Sequence, residues 1–479
     1  MTLEQFRNSL KSENVVAAIH EGVIGEGARI PGLFGDVRLT YADYVASGRA
    51  LKQIEDYVQN RVLPFYANSH TEASYCGSYM TRLRAAARSE TARLTNATDG
   101  CSVIFTGSGA TAGLNRLVTL FGVNKVRKSV VFIGPYEHHS NILPWRESNA
   151  VVVSIPEGEC GGPDLVALEA ALLEHQDADL KIGSFTAASN VTGVITDPIE
   201  TTRLLKRYGA LSVWDYAGGA PYLSIDMNPS LDCQADAVVV SPHKFVGGPG
   251  SSGVLIVRNS AVDACEPTWP GGGTVTFVSP WGHNYTENLA AREEAGTPNV
   301  VGDIRAALAF IVKDTLTQEY ISKRNDELNC LALESWKANP QLVLLGTQHK
   351  NRLPIFSFLV KRKDGSRFHH QLFTRMLSDV YGIQTRGGCA CAGPYAHHLL
   401  NIGEEKSEQL FCDLQQGKEL EKPGWVRLNF SYLMSDDKAK YIVDCVNDLT
   451  TQLEELEKSY SVDASTARFA ISPDEIEIA

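Results

Sequence analysis

The sequence predicts an α/β fold, with a large domain built on a mostly parallel sheet flanked by helices and a smaller C-terminal α+β domain. Two observations carry this. Between residues 101 and 258, short β-branched runs alternate with amphipathic stretches, and the runs are near-continuously apolar, as strands buried on both faces must be. Beyond about residue 316 that alternation stops, and two strand-like runs, PIFSFLV and WVRLNFS, stand among long amphipathic stretches. A chain of 479 residues has room for both parts at roughly 150 residues per domain.

Taken in order, residues 1–30 read as an N-terminal arm and 31–315 as the large domain. Its first strand is Cys101–Thr106, followed by a helix from Ala110. Ser129–Gly134 and Ala150–Ile155 are further strands, the latter leading into the helix LVALEAALLEH. Lys181–Phe185 runs into SNVTG and the helix IETTRLLKRYG. Leu211–Asp215 and Asp236–Ser241 follow, and Gly253–Arg258 closes the block as an antiparallel neighbour. A long helix from Gly302 leads into the small domain, 316–460, whose helices are FHHQLFTRMLSDVY and 437–460. Residues 461–479 lack a period and read as a mobile tail.

Composition narrows the function. Hydrophobic residues at 43% and charged residues at 21% are ordinary globular usage, which excludes a disulfide-stapled miniprotein or a collagen. The net charge of -12, from 44 Lys+Arg against 56 Asp+Glu, comes without basic clusters. No nucleic-acid partner is expected, because phosphate contacts supply most of that affinity, and no anionic membrane either. The N-terminus MTLEQFRNSLKSEN lacks the apolar core of a secretory signal. Runs such as VVVSI fall far short of the roughly 18 residues of a membrane span. A cytoplasmic location is expected, with the ten cysteines mostly reduced. No CxxC pair is present and no metal is expected.

Open parallel sheets bind ligands beyond the carboxyl ends of their strands. After CSVIFT comes Gly107-Ser108-Gly109-Ala110-Thr111, and after SVVFIG comes Glu137-His138-His139-Ser140-Asn141. After KIGSF comes Ser189-Asn190. LSVW ends in Asp215, and DAVVV in Ser241-Pro242-His243-Lys244. The glycine segment reads either as an anion cradle at a helix N-terminus or as a plain strand–helix turn. Lys244 reads either as an amine able to lose its proton and attack an aldehyde or as a snorkelling surface lysine. Asp215 suits the acid that keeps a pyridine nitrogen protonated beneath a lysine-bound ring, or else a turn aspartate. Each is weak alone; five such strand ends at one crevice form a set.

These segments resemble the class V aminotransferase group of fold-type I pyridoxal-phosphate enzymes. Within it the chain is similar to cysteine desulfurases of the second group and to the desulfurase-like domain of molybdenum cofactor sulfurases. The resemblance covers about residues 30–455 and rests on FTGSGATAGLN, EHHSNILPW, SNVTG, SPHKFVGGPGSSGVLIVR, GGGTV, REEAGTPN, RGGCACAGP and VRLNFSYLMSDD. It implies pyridoxal 5'-phosphate as cofactor, condensed with Lys244, with Asp215 at the ring nitrogen. His138 would stack on the ring, His139 being the alternative, and Asn190 would lie near the phenolic oxygen. Ala110 (by its N–H), Thr111, Ser241 and His243 would hold the phosphate. Thr274 would reach the phosphate of a second subunit, in a homodimer with a shared active site. Arg427 would bind the substrate α-carboxylate.

The resemblance also places a persulfide-forming cysteine. Counting the RxGxxC pattern from Arg386 and Gly388 puts it at Cys391, beside Arg386, on a glycine-rich loop able to expose a thiolate. The expected reaction converts L-cysteine to L-alanine, with a sulfur-acceptor protein as partner. The alternative is an aminotransferase, lyase or epimerase acting on another amino acid. Cys389 and Cys391 also read as two buried cysteines, or with His397 or His398 as metal ligands. Two positions depart from the family pattern: Gly218 stands where Gln or His is usual, and Ala110 where a hydroxyl residue is common.

Overall fold

The computed structural model describes residues 2–69 and 72–472; positions 473–479 of the expected tail lie outside the described residues. Contacts divide the chain into two compact units. The first contains the residues up to Ile24, Ala46–Ala188 and Ile195–Tyr320. The second contains Gly25–Val45, Ser189–Val194 and the chain from Ile321 onward. Two short segments of the N-terminal half therefore pack with the C-terminal unit.

The first unit is built on a seven-stranded sheet. Its strands are β1 (Cys101–Gly107), β2 (Ser129–Ile133), β3 (Val151–Ser154), β4 (Leu180–Thr186), β5 (Leu211–Asp215), β6 (Ala237–Val240) and β7 (Gly253–Arg258). Their order is β1-β7-β6-β5-β4-β2-β3. β2 to β6 run parallel, and β7 is antiparallel to both β1 and β6, as its position after the last parallel strand led us to expect. Every residue of β2 and β6 is buried, which is why these runs carry no polar alternation.

Helices precede, join and follow these strands, and several of their ends are capped by side chains. Helix α1 (Tyr75–Leu94) starts at Ser74, whose hydroxyl accepts from the Gly77 N–H. Helix α2 (Gly109–Leu120) buries Leu114, Leu117 and Leu120 against Ile104, Val131 and Val239 of the sheet. Helix α3 (Leu165–Glu174) is capped by Asp164, which accepts from the N–H groups of Val166 and Ala167. Helix α4 (Pro198–Arg207) combines an Asp197 cap with proline at its first position; such caps contribute about 1 kcal/mol each. Helix α5 (Val300–Leu316) is the long helix expected near Gly302 and is capped by Asn299. A hairpin, β8 (Val275–Ser279) with β9 (Gly282–Tyr285), carries exposed Phe277, Val278 and Trp281.

The second unit has an antiparallel sheet in the order β10-β11-β13-β12. These strands are β10 (Leu342–Leu344), β11 (Ile355–Lys361), β12 (Arg386–Gly388) and β13 (Trp425–Asn429). Helices α6 (His370–Tyr381) and α8 (Asp436–Thr451) lay Phe373, Met376, Ile442 and Val446 on Phe356, Phe358 and Phe430 of the sheet side. Between them lies α7 (Gly393–Leu399). Helix α8 is shorter than the expected 437–460. Residues 461–471 of the segment expected to be a mobile tail form, with Tyr460, a hairpin, β14 (Tyr460–Asp463) with β15 (Arg468–Ile471). The physical reason is that Tyr460, Phe469 and Ile471 pack on the core of this unit, a contact that no local period announces.

Candidate active site

In the first unit the strand exits are joined in a ring of contacts. The turn after β1 uses Gly107 and Gly109 at φ +81° and +62°, left-handed values that a side chain would strain. A Cβ on Gly109 would stand 2.9 Å from Ser241 Oγ and 3.2 Å from His243 Cε1, so bare backbone meets the residues after β6. The Ala110 N–H donates to Ser241 Oγ at 2.9 Å. Thr111 Oγ1 lies 2.7 Å from Ser140 Oγ, and the Ser140 N–H donates to His138 Nδ1 at 3.1 Å. With Nδ1 accepting, a neutral His138 ring carries its proton on Nε2.

The ring continues through Glu137, which is 2% exposed and accepts from the Thr186 N–H at 2.9 Å at the end of β4. Glu137 also accepts from Asn141 Nδ2, and Asn141 Oδ1 in turn accepts from Ser184 Oγ at 2.6 Å and Trp145 Nε1 at 3.2 Å. Burial pushes the Glu137 carboxyl up to about 8, with the Asp215 charge acting in the same direction. Asp215, at the end of β5, is 2% exposed and accepts from the Ala217 N–H at 2.8 Å. Burial raises its pKa, against the Ala217 hydrogen bond and the Lys244 charge. The electrostatic coupling of Asp215 and Lys244 closes the ring.

Lys244 ends a tight turn, Pro242–Lys244, in which its N–H donates to Ser241 O at 3.0 Å. The glycines that follow exist to let the chain fold back: a Cβ on Gly248 would sit 1.8 Å from Pro242 O. His243 is pushed down to about 4 by burial and then by the Lys244 charge, so it stays neutral at neutral pH. His139 is also lowered by burial. Thr274 is buried at the foot of the β8–β9 hairpin, and its hydroxyl donates to Gly271 O at 2.7 Å.

In the second unit a different cluster forms. Arg427 on β13 is 3% exposed; its Nη2 donates to Asp43 Oδ1 at 2.9 Å and its Nη1 to Asn190 O at 3.2 Å. Arg386 on β12 donates through Nε to Asp43 Oδ2 at 3.1 Å. Asn190 Nδ2 donates to Ala390 O at 2.9 Å, so Asn190 is tied to the cysteine loop. In that loop Gly388, Ala390 and Cys391 take φ of +125°, +54° and +55°. Two consecutive non-glycine residues in the left-handed region cost about 1–2 kcal/mol each. Cys391 is an exposed thiol, while Cys389 is half-buried, and Cys391 interacts electrostatically with Arg427. Among the described residues no three His, Cys, Asp or Glu side chains are arranged to hold a metal ion.

Comparison with known proteins then decides the family. The profile of the family "Aminotransferase class-V" matches residues 40–406. The chain belongs to the class V aminotransferase family. A protein named probable cysteine desulfurase from Halalkalibacterium halodurans is 28% identical over 366 residues, 74% of this chain and 84% of that one. A protein of the same name from Staphylococcus aureus is 27% identical over 399 residues, 80% and 92% of the two chains. Among solved structures, the cysteine desulfurase of Thermococcus onnurineus NA1 superposes with a TM-score of 0.71 at 23% identity, covering 86% of this chain and 95% of that one. The cysteine desulfurase CsdA of Escherichia coli gives 0.67 at 22%, covering 95% and 99%. The fold expected from the sequence, a fold-type I α/β architecture, is therefore that of the class V family. Asp43, Glu137 and Ser140 carry geometry that the sequence did not single out. Ser140 and Glu137 flank the histidine pair and had that proximity as a signal; Asp43 had none.

Proposed function

We propose that this chain is a pyridoxal-phosphate-dependent cysteine desulfurase that converts L-cysteine to L-alanine and takes the sulfur as a persulfide on Cys391. The observation that carries the reading is the exposed Cys391 thiol on a strained loop tied through Asn190 to buried Arg427. The names of the relatives support it.

The residues of the first unit fit the cofactor. The bare backbone at Gly109, the Thr111 hydroxyl and Ser241 make a cradle suited to a phosphate. Asp215, buried near an amine, suits a protonated pyridine nitrogen. When bound, pyridoxal phosphate supplies an aldehyde that condenses with amines and a ring that withdraws electrons from the substrate α-carbon.

The chain's own residues do the rest. Arg427 binds the substrate carboxylate through guanidinium N–H groups. Lys244 Nζ takes the α-proton. His138 holds a proton at Nε2, from which it passes to the substrate. The Cys391 thiolate bonds to the substrate sulfur as the substrate Cβ–S bond breaks. That electron pair stays on carbon and takes a proton to give alanine; the carbon is reduced, and the two sulfurs are oxidised to the persulfide. Thr274, at the foot of the hairpin, completes the phosphate site of a partner subunit in a homodimer. A sulfur-acceptor protein then takes the persulfide in the cytoplasm; among the described residues no helix is long and apolar enough to cross a membrane.

The test is incubation of purified enzyme with L-cysteine. Alanine and a Cys391 persulfide are expected by mass. Cys391→Ala is expected to lose the persulfide while keeping the cofactor absorbance, and Lys244→Ala to lose the borohydride-trapped adduct. A 2-oxo acid product instead of alanine would establish the aminotransferase alternative.

A further inference from the structure

We propose that Asp43 is a specificity-determining residue that sets the charge of the substrate-carboxylate site, so that the site accepts an amino acid with one carboxylate and rejects one with two. The proposal rests on the reading of Arg427 as the carboxylate receptor. Arg386 and Arg427 are direct cross-strand partners in the β12–β13 pairing, and like charges placed opposite each other on a sheet repel. Asp43 resolves this by spanning them, Oδ1 to Arg427 at 2.9 Å and Oδ2 to Arg386 at 3.1 Å. It is itself held in place: Asp43 bridges to Asn429 on β13, and Asn429 Oδ1 accepts from the Val45 N–H at 2.8 Å.

The charge balance follows. Two guanidiniums and one carboxylate leave a single net positive charge, with the Cys391 thiol also close enough to interact with Arg427. Asp43 is 8% exposed and Arg427 3%, so water screens this pair poorly, while the Arg386 side chain, 51% exposed, is screened more. Arg427 keeps free donor capacity: its Nε is buried and has no hydrogen-bond partner among the described residues. Once a first carboxylate has taken up that single net positive charge, a second on the ligand would meet the fixed negative charge of Asp43. Arg427 therefore supplies the attraction, and Asp43 supplies the repulsive element that discriminates.

The experiment measures dissociation constants of the holoenzyme for L-alanine and L-aspartate by calorimetry at fixed ionic strength. Asp43→Asn is expected to shift the ratio of the two constants about tenfold toward L-aspartate. The double variant Asp43→Asn with Arg386→Gln restores a single net positive charge and is expected to return the ratio to the wild-type value, which a merely structural role would not do. An unchanged ratio in a folded Asp43→Asn overturns the proposal. If that variant does not fold, Arg386→Gln alone must shift the ratio the other way, away from L-aspartate, and no shift there overturns it equally. Arg427→Gln separates the two readings. If it weakens both ligands while Asp43→Asn leaves the ratio alone, only the role of Asp43 fails; if it leaves both ligands bound, Arg427 is not the receptor and both fail.

Discussion

Glu137 sits at the exit of β2 with its carboxyl pushed up to about 8 by burial, beside a catalytic histidine candidate but turned into the protein. Its folded pKa lies above the ordinary value of 4.5, so the folded state binds the proton more tightly than the unfolded one. That stability is fully present below about pH 4.5 and is lost as pH rises toward 8, by at most about 5 kcal/mol. Asp215, also raised, acts with the same sign; His243, lowered to about 4, acts oppositely, costing stability as pH falls below 6.5. Glu137→Gln, which keeps an acceptor for the Thr186 N–H, is expected to flatten the loss between pH 5 and 8 in urea unfolding. An identical slope in the variant would show that Glu137 is not the titrating group. At this scale the placement of Asp215, Lys244 and His138 at strand exits was readable, because each stands at or a few residues after an apolar run. Asp43 was not: its partner Arg427 is 384 residues away, and only the β12–β13 register brings two arginines to one carboxylate.

The lysine turn and the cysteine loop are short elements whose backbone shape is the sequence constraint. Gly248→Ala would force a Cβ to 1.8 Å from Pro242 O, and since that atom is backbone, the turn itself must move. The expected outcome is a loss of about 2 kcal/mol or more in unfolding free energy together with weakened cofactor retention, read from the absorbance after dialysis. In the cysteine loop, Ala390→Gly removes the penalty of φ +54°. It should stabilise the protein by up to about 1 kcal/mol while slowing persulfide formation, because a relaxed loop presents Cys391 less uniformly. Faster persulfide formation in that variant would mean the strain is not what presents the thiol. Strands of this scale were readable because their signal, a β-branched run, is local. The C-terminal hairpin was not, because Tyr460, Phe469 and Ile471 find their core only in three dimensions.

Over the whole molecule, the class of fold followed from the alternation of apolar runs and helices, and the class V family shares it. The membership of each compact unit did not follow, since Gly25–Val45 and Ser189–Val194 join the second unit through contacts distant in sequence. The β8–β9 hairpin exposes Trp281 at 93%, Val278 at 63% and Phe277 at 59%, an apolar projection that a lone protein seldom leaves in water. If the hairpin serves the proposed homodimer, Trp281→Asp combined with Phe277→Asp is expected to yield monomers in sedimentation and to lower cofactor affinity through Thr274. A variant that remains dimeric with full cofactor affinity would remove the hairpin from the interface.

The reversed direction of β7 has a consequence of its own. Because this strand returns alongside both β1 and β6, the intervening residues 241–252 form a bight that starts and finishes at one end of the sheet. Its finish, Gly253, lies so close to Gly109 that a Cβ there would stand 2.4 Å from the Gly109 carbonyl oxygen. Lengthening the bight by even one residue would therefore jostle the Gly109 turn and Lys244 together.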